Sequence, residues 1–215
     1  IVDVKIDGYK VSNPLGFQGR ELQVGVFNAF APIVHLGALQ TIAAELGLDL
    51  LSIVADPYAL ARSVGPNESA EFSAIFIDIG GGTTDIAVVR QGGVEGTKMF
   101  ALGGRSFTKR IAQVFGCSFA EAEEMKIKYS QNELPREDAQ FIKDALKTDC
   151  QVWLSGVELT LEEFSSLELL PSRILLCGGG TMLPDIEEAL KNAQWNSNLP
   201  FARHPSVHFI KPQDV

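Results

Sequence analysis

The chain has 215 residues, 46 % of them hydrophobic and 21 % charged, which is enough to bury a core without disulfide or metal staples. Its formal charge of −9 argues against nucleic acid or an anionic membrane surface as the main partner, since both call for a clustered cationic face. No apolar run reaches the ~20 residues of a membrane-spanning helix, and the three scattered cysteines, Cys117, Cys150 and Cys177, contain no C-x-x-C pair and read as reduced core thiols.

The alternating run Ile1 to Ile6 predicts a strand, with Asp7-Gly8 as its turn. Asn13-Pro14 and Gly16 to Gly19 mark a loop, and Glu21 to Phe30 reads as a further strand of a small β-ribbon. Pro32 opens a helix through Leu46 whose residues Leu36, Leu39, Ile42, Ala43 and Leu46 share a face. A short strand over Leu50 to Val54 and a helix over Tyr58 to Val64 follow, with Asp56 as its N-cap and a polar loop over Gly65 to Ala70 as a boundary. Next comes a β-meander: Ala74 to Ile79, Asp85 to Val89 and Val94 to Ala101, joined by Gly80-Gly81-Gly82-Thr83-Thr84 and Gln91-Gly92-Gly93. A helix containing Phe107, Ile111, Val114 and Phe115 ends at Gly116, and the Ser118-x-x-Glu121 pattern predicts a capping box opening another helix to about Tyr129. Pro135 to Trp153 reads as a long amphipathic helix, whereas Val157 to Leu161 alternates like a strand. Arg173 to Cys177 is an apolar strand running into Gly178-Gly179-Gly180-Thr181, Pro184 opens a helix through Ala193, and Val207 to Ile210 closes the chain's last strand.

Two strand–Gly-Gly-Gly-Thr units are the chemically informative feature. Consecutive residues without Cβ expose backbone N–H groups, let a ligand approach the main chain and form anion-binding concavities. Thr83 and Thr84 add hydroxyl donors behind the first loop, and Asp78 places an anion just before it, with Asp85 across the same hairpin. An acid beside an anion-binding turn points to a divalent cation bridging carboxylate and phosphate, often through water. The second loop leads straight into a helix, which favours an anion or a flat polar group at that helix N-terminus. The chain lacks G-x-x-x-x-G-K-[ST], a G-x-G-x-x-G that follows a strand with an acid ~20 residues on, and G-x-S-x-G, so P-loop, dinucleotide-binding and α/β-hydrolase folds are unsupported. His35, His204 and His208 have no metal-ligand spacing.

The run Asp78-Ile79-Gly80-Gly81-Gly82-Thr83-Thr84-Asp85 resembles the second phosphate motif of the actin/Hsp70/sugar-kinase ATPase superfamily. Cys177 to Pro184 is similar to that superfamily's adenosine motif, Gly103-Gly104 to its glycine pair, and Ala122 to Lys126 to the helix whose Glu and Lys line the adenosine pocket. Ile6-Asp7-Gly8, Asn13-Pro14 with Gly16, and Leu22 to Phe30 look like the end of the inserted small subdomain of FtsA-type cell-division proteins; PilM-type pilus-assembly proteins share the layout.

This resemblance implies an α/β, actin-like (ribonuclease H-like) ATPase fold, a mixed sheet with flanking helices and a small helical subdomain. Residues 1–31 would be the tail of the inserted subdomain, 32–66 connecting helices and strand, and 67–215 the nucleotide-binding half, with the helical part at about 105–170. ATP and Mg2+ would be held by Gly80, Gly81, Gly82, Thr83 and Thr84 on the phosphates, by Glu123, Lys126, Gly178, Gly179, Gly180 and Thr181 on the nucleoside, and by Asp78 on the metal through water, with Asp85 behind it. Asp78 and Asp56 would be the catalytic pair of a slow Mg-dependent ATP hydrolase. Asp56 stands where the family has a Glu that orients the attacking water, one methylene shorter. The resemblance further implies filament self-association, binding to the tubulin-like ring protein FtsZ, and a cytoplasmic protein peripheral on the inner membrane face, with no membrane contact by this stretch itself. The alternatives are a PilM-like ATP-binding adaptor of type IV pilus assembly and a nucleotide-binding scaffold without turnover. The chain starts at Ile1 and lacks the family's first phosphate motif, a strand with D-x-G near the protein N-terminus, so it reads as the C-terminal two-thirds of a longer protein.

Overall fold

The computed structural model describes residues 3–11, 13–26, 28–64, 72–165, 167–192 and 195–210. The chain opens with an antiparallel ribbon of β1 (Asp3–Ile6), β2 (Tyr9–Lys10) and β3 (Leu22–Gly25), in the order β2-β1-β3. Asp7 and Gly8 both take positive φ in the turn, as their types predict. The Asp7 carboxylate also accepts the backbone N–H groups of Arg20 and Glu21 at 2.8 and 2.9 Å, which fixes where β3 begins. β3 is shorter than the strand expected to reach Phe30, and Ile1 and Val2 of the first expected strand lie outside the described residues.

Helix α1 (Ile33–Glu45) forms where expected, yet none of its residues is buried. The strand expected over 50–54 is absent: Leu50, Leu51, Ile53 and Val54 stay exposed. A strand needs a partner for its backbone groups, and residues 50–54 join neither sheet formed by the described residues. Helix α2 (Asp56–Val64) follows, and the Gly65–Ala70 loop lies outside the described residues.

The main sheet contains β4 (Ala74–Ile79), β5 (Thr84–Arg90), β6 (Gly93–Phe100), β7 (Arg173–Cys177) and β8 (Ser206–Phe209), in the order β6-β5-β4-β7-β8. The meander pairs are antiparallel, whereas β4–β7 and β7–β8 are parallel, so the sheet is mixed. Strand alternation assigns its two faces. Ile75, Ile77, Ile79, Ile86, Val88, Ile174 and Leu176 point to the larger core, under α3 (Gly104–Phe115), α4 (Phe119–Ser130), α5 (Arg136–Glu162) and α6 (Pro184–Lys191). Ala74, Phe76, Ala87, Val89 and Leu175 face the opposite way, against Leu60 and Val64 of α2.

Helix α4 carries the expected capping box, with Ser118 and Glu121 exchanging side-chain-to-backbone hydrogen bonds. Helix α5 corrects the reading of Val157 to Leu161 as strand-like: the helix runs on to Glu162. Ile142, Leu146, Cys150, Trp153, Val157 and Leu161 make one continuous buried stripe at spacings of three and four. Each fully buried aliphatic side chain contributes roughly 1.5–3 kcal/mol. That outweighs a strand preference whose whole range is about 1 kcal/mol.

Candidate functional site

Three glycine-bearing segments converge at one end of the main sheet. The first loop, Gly80 to Thr83, is closed by a hydrogen bond from the Gly80 N–H to the Thr83 carbonyl at 2.9 Å. Helix α3 is then sewn to it: the Gly104 and Arg105 N–H groups donate to the Gly80 and Gly81 carbonyls at 2.9 and 2.8 Å. A Cβ on Gly103 would stand 2.6 Å from the Gly80 carbonyl oxygen, so only glycine permits this approach. The second loop closes in from β7. Gly178 has φ 85° and ψ 158°, and a Cβ there would lie 2.2 Å from Asp78 Oδ1 and 2.5 Å from the Ile79 carbonyl oxygen. The second loop therefore packs its backbone against the end of β4, at the residue that leads into the first loop.

Between them lies a cavity of about 460 Å³, walled by Gly80, Gly81 and Gly104 on one side and by Gly179, Gly180 and Leu183 on another. Helix α4 supplies the third wall with Glu123, Lys126, Ile127 and Ser130, spaced three, one and three apart on a single helical face. Lys126 Nζ donates to Glu123 Oε2 and Thr108 Oγ1, each at 2.8 Å, and to the Gly104 carbonyl at 3.2 Å. Burial pushes the Glu123 carboxyl up, but hydrogen bonds from Lys126 and Thr108 outweigh it and hold it below its ordinary range.

Of the residues singled out from the sequence, Gly80, Gly81, Glu123, Lys126, Gly179 and Gly180 share this cavity wall. Gly82 sits at the tip of the first loop with open space around it, and Thr83 Oγ1 donates to Asp85 Oδ2 at 3.1 Å. Asp78 and Asp85 are opposite each other across β4 and β5, beneath the loop. Burial raises the Asp78 carboxyl above the usual carboxylate range, with the charges of Asp85 and Asp56 adding to it. Asp56, at the start of α2, is thus electrostatically in reach of Asp78.

Two expected ligand contacts turn inward instead. Thr84 is fully buried; its hydroxyl donates to the Leu102 carbonyl at 2.7 Å and accepts from Trp153 Nε1 at 2.9 Å. The Thr181 hydroxyl donates to the Gly178 carbonyl at 2.7 Å, bracing the second loop. Sequence reading missed Arg105, Phe119, Ile127, Ser130, Gln131 and Met182 as wall residues. For Ile127 and Ser130 the signal existed, because they continue the face begun by Glu123 and Lys126.

No group of three or more His, Cys, Asp or Glu able to hold a metal occurs among the described residues. A divalent ion at Asp78 would therefore need oxygen ligands from a bound phosphate and water, as Mg2+ commonly takes. The crowded acids fit such an ion, since a cation would relieve both the burial of Asp78 and its repulsion from Asp85. No helix among the described residues is long and apolar enough to cross a membrane.

A mixed five-stranded sheet with helices on both faces and glycine loops at one end defines a member of the actin-like fold. The solved structures agree. The PilM–PilN type IV pilus biogenesis complex superposes with a TM-score of 0.65 at 21 % identity, over 84 % of this chain and 48 % of that one. MreB5 of Spiroplasma citri bound to ADP gives 0.56 at 20 % identity, over 84 % and 61 %. At these identities the likeness establishes the fold alone. The family follows from sequence: the model for cell division protein FtsA matches residues 75–213, and the chain belongs to that family. The FtsA of Enterococcus hirae is 27 % identical over 206 residues, covering 86 % of this chain and 46 % of that protein. The chain thus spans about half the length of the curated relatives it matches.

Proposed function

We propose that this chain is the nucleotide-binding half of an FtsA-type cell-division protein and that it holds Mg-ATP in the cavity between its two glycine loops. The observation that carries the reading is the common wall itself: Gly80 and Gly81, Gly179 and Gly180, and the Glu123–Lys126 pair face one space from three elements. In this reading the first loop cradles phosphates with its N–H groups, and the second loop and α4 hold the nucleoside. Asp78 binds Mg2+ through water, Asp85 stands behind it, and Asp56 orients a water for slow hydrolysis. Thr83 contributes through Asp85, whereas Thr84 and Thr181 shape the loops.

The wider role rests on family membership. The ribbon of residues 1–31 belongs to an inserted subdomain, residues 32–66 connect it, and 67–215 form the nucleotide-binding unit with its helical part at about 105–170. Nucleotide-dependent self-association, recruitment of the tubulin-like FtsZ and a peripheral position on the inner face of the cell membrane complete the proposal. It is tested by titrating Mg-ATP into the full-length protein and its Asp78→Ala and Asp85→Ala variants. Asp78→Ala weakens binding at least about tenfold, the equivalent of one lost charge-assisted contact, and more than Asp85→Ala does. Coincident curves for the two variants would contradict the assignment of the metal to Asp78.

A further inference from the structure

Arg105 lines the same cavity and has no place in the reading above. It is the second residue of α3, and its backbone N–H is bonded to the Gly81 carbonyl, so its root is part of the first loop. Its stem crosses the face of Gly81, with Cγ and Cδ 3.8 Å from where a Cβ on Gly81 would be. The guanidinium is exposed and lies 5.2 Å from the centre of the Phe119 ring, on the opposite wall. Among the described residues it makes no side-chain hydrogen bond and no ion pair within 4 Å, although its charge reaches the Glu123 carboxylate and helps to hold it below its ordinary range. Lys126, the other cation on the wall, has its three donors taken by Glu123, Thr108 and Gly104.

The position also runs against local helix chemistry. A cation in the first turn opposes the helix dipole, which favours acids there. Helix α3 has no acid in its first turn and no side-chain cap at Gly103. The first N–H groups of α3 are already taken by the Gly80, Gly81 and Gly103 carbonyls, so an anion beside the first loop would be met by the guanidinium and by the positive end of the helix dipole. Departures of this kind from local rules are expected where a site is being served.

We propose that Arg105 is the phosphate-contacting cation of this cavity, leaving Phe119 to engage the anionic tail of a bound nucleoside di- or triphosphate. The inference rests on the nucleotide reading of the cavity and adds a residue that sets affinity by phosphate content. It is tested with the full-length protein, its Arg105→Ala and Arg105→Lys variants, and four ligands: ATP, ADP, AMP and adenosine. Arg105→Ala weakens ATP and ADP about tenfold, or ~1.4 kcal/mol, and leaves adenosine within about twofold. Arg105→Lys falls between, because it keeps the charge and loses the forked geometry. Raising the salt concentration narrows the gap between wild type and Arg105→Ala. Equal losses for ATP and adenosine would overturn the proposal by placing the guanidinium against the base. So would four unchanged affinities, which would leave the nucleotide site itself standing. Wild-type protein that binds none of the four ligands at millimolar concentration overturns both readings at once.

Discussion

Replacing Gly178 by alanine probes the contact on which the whole site depends. Two costs arise at that position. Its φ of 85° and ψ of 158° fall in a region essentially restricted to glycine, worth roughly 1–3 kcal/mol for any other residue. The new Cβ would also stand 2.2 Å from Asp78 Oδ1 and 2.5 Å from the Ile79 carbonyl oxygen. A carboxylate can rotate away, but Ile79 is fully buried in β4 and its backbone cannot, so the second loop must move off the strand. Overpacking of this kind adds about 1–3 kcal/mol. The sum, about 4 kcal/mol, corresponds to a fall in melting temperature of about 8–16 °C for a domain of this size. Gly179→Ala is the control: nothing lies within 4 Å of a Cβ there, and the expected change is within about 0.5 kcal/mol. Thermal unfolding of the two variants beside wild type settles the matter. A Gly178→Ala protein melting within about 2 °C of wild type would refute the close approach of the second loop to the end of β4.

Other expectations follow from buried polar groups. Thr84→Val strands the Trp153 indole N–H and the Leu102 carbonyl, costing about 1–3 kcal/mol in denaturant unfolding. Because Trp153→Phe removes the same bond, the double variant falls short of the sum by about 1 kcal/mol, and strict additivity would deny the coupling. Asp185 is buried with its Oδ2 lacking a partner, and burial raises its carboxyl above the ordinary range despite a hydrogen bond from Tyr129. The folded state therefore holds this proton more tightly than the unfolded state, so the stability it contributes is present in acid and lost as pH rises from ~3.9 through the folded value. Asp185→Asn should accordingly stabilise the protein more at pH 7 than at pH 4. A difference in melting temperature that does not grow with pH would contradict this.

The glycine loops were legible in the sequence because their signal is local: apolar strand, three residues without side chains, then a hydroxyl. Gly103 and the α4 capping box could be read for the same reason. Thr84 was misjudged by treating the loop as one unit. Alternation carries it inward, since it pairs with Ile79 and shares a face with Ile77 and Ile86. The extension of α5 past Trp153 was hidden because Val157 to Leu161 fits both periods, and only the burial of Val157 and Leu161 decides between them. The missing strand at 50–54 was misread for a different reason, as sequence registers extended propensity but not the presence of an edge to pair with. Arg105 carried no pattern at all, because its place on the cavity wall beside Gly81 and Phe119 exists only once the chain is folded.

Helix α1 has a consequence for how the chain exchanges its amide protons. Thirteen residues are too few for a helix to persist in water on propensity alone, and Ile33, Val34, Leu39 and Ile42 are all exposed. Deuterium uptake over 33–45 should therefore approach that of a free peptide, while β4, β5 and β7 remain slow. Any molecule or chain segment that seals this apolar cylinder will announce itself as new protection over 33–45.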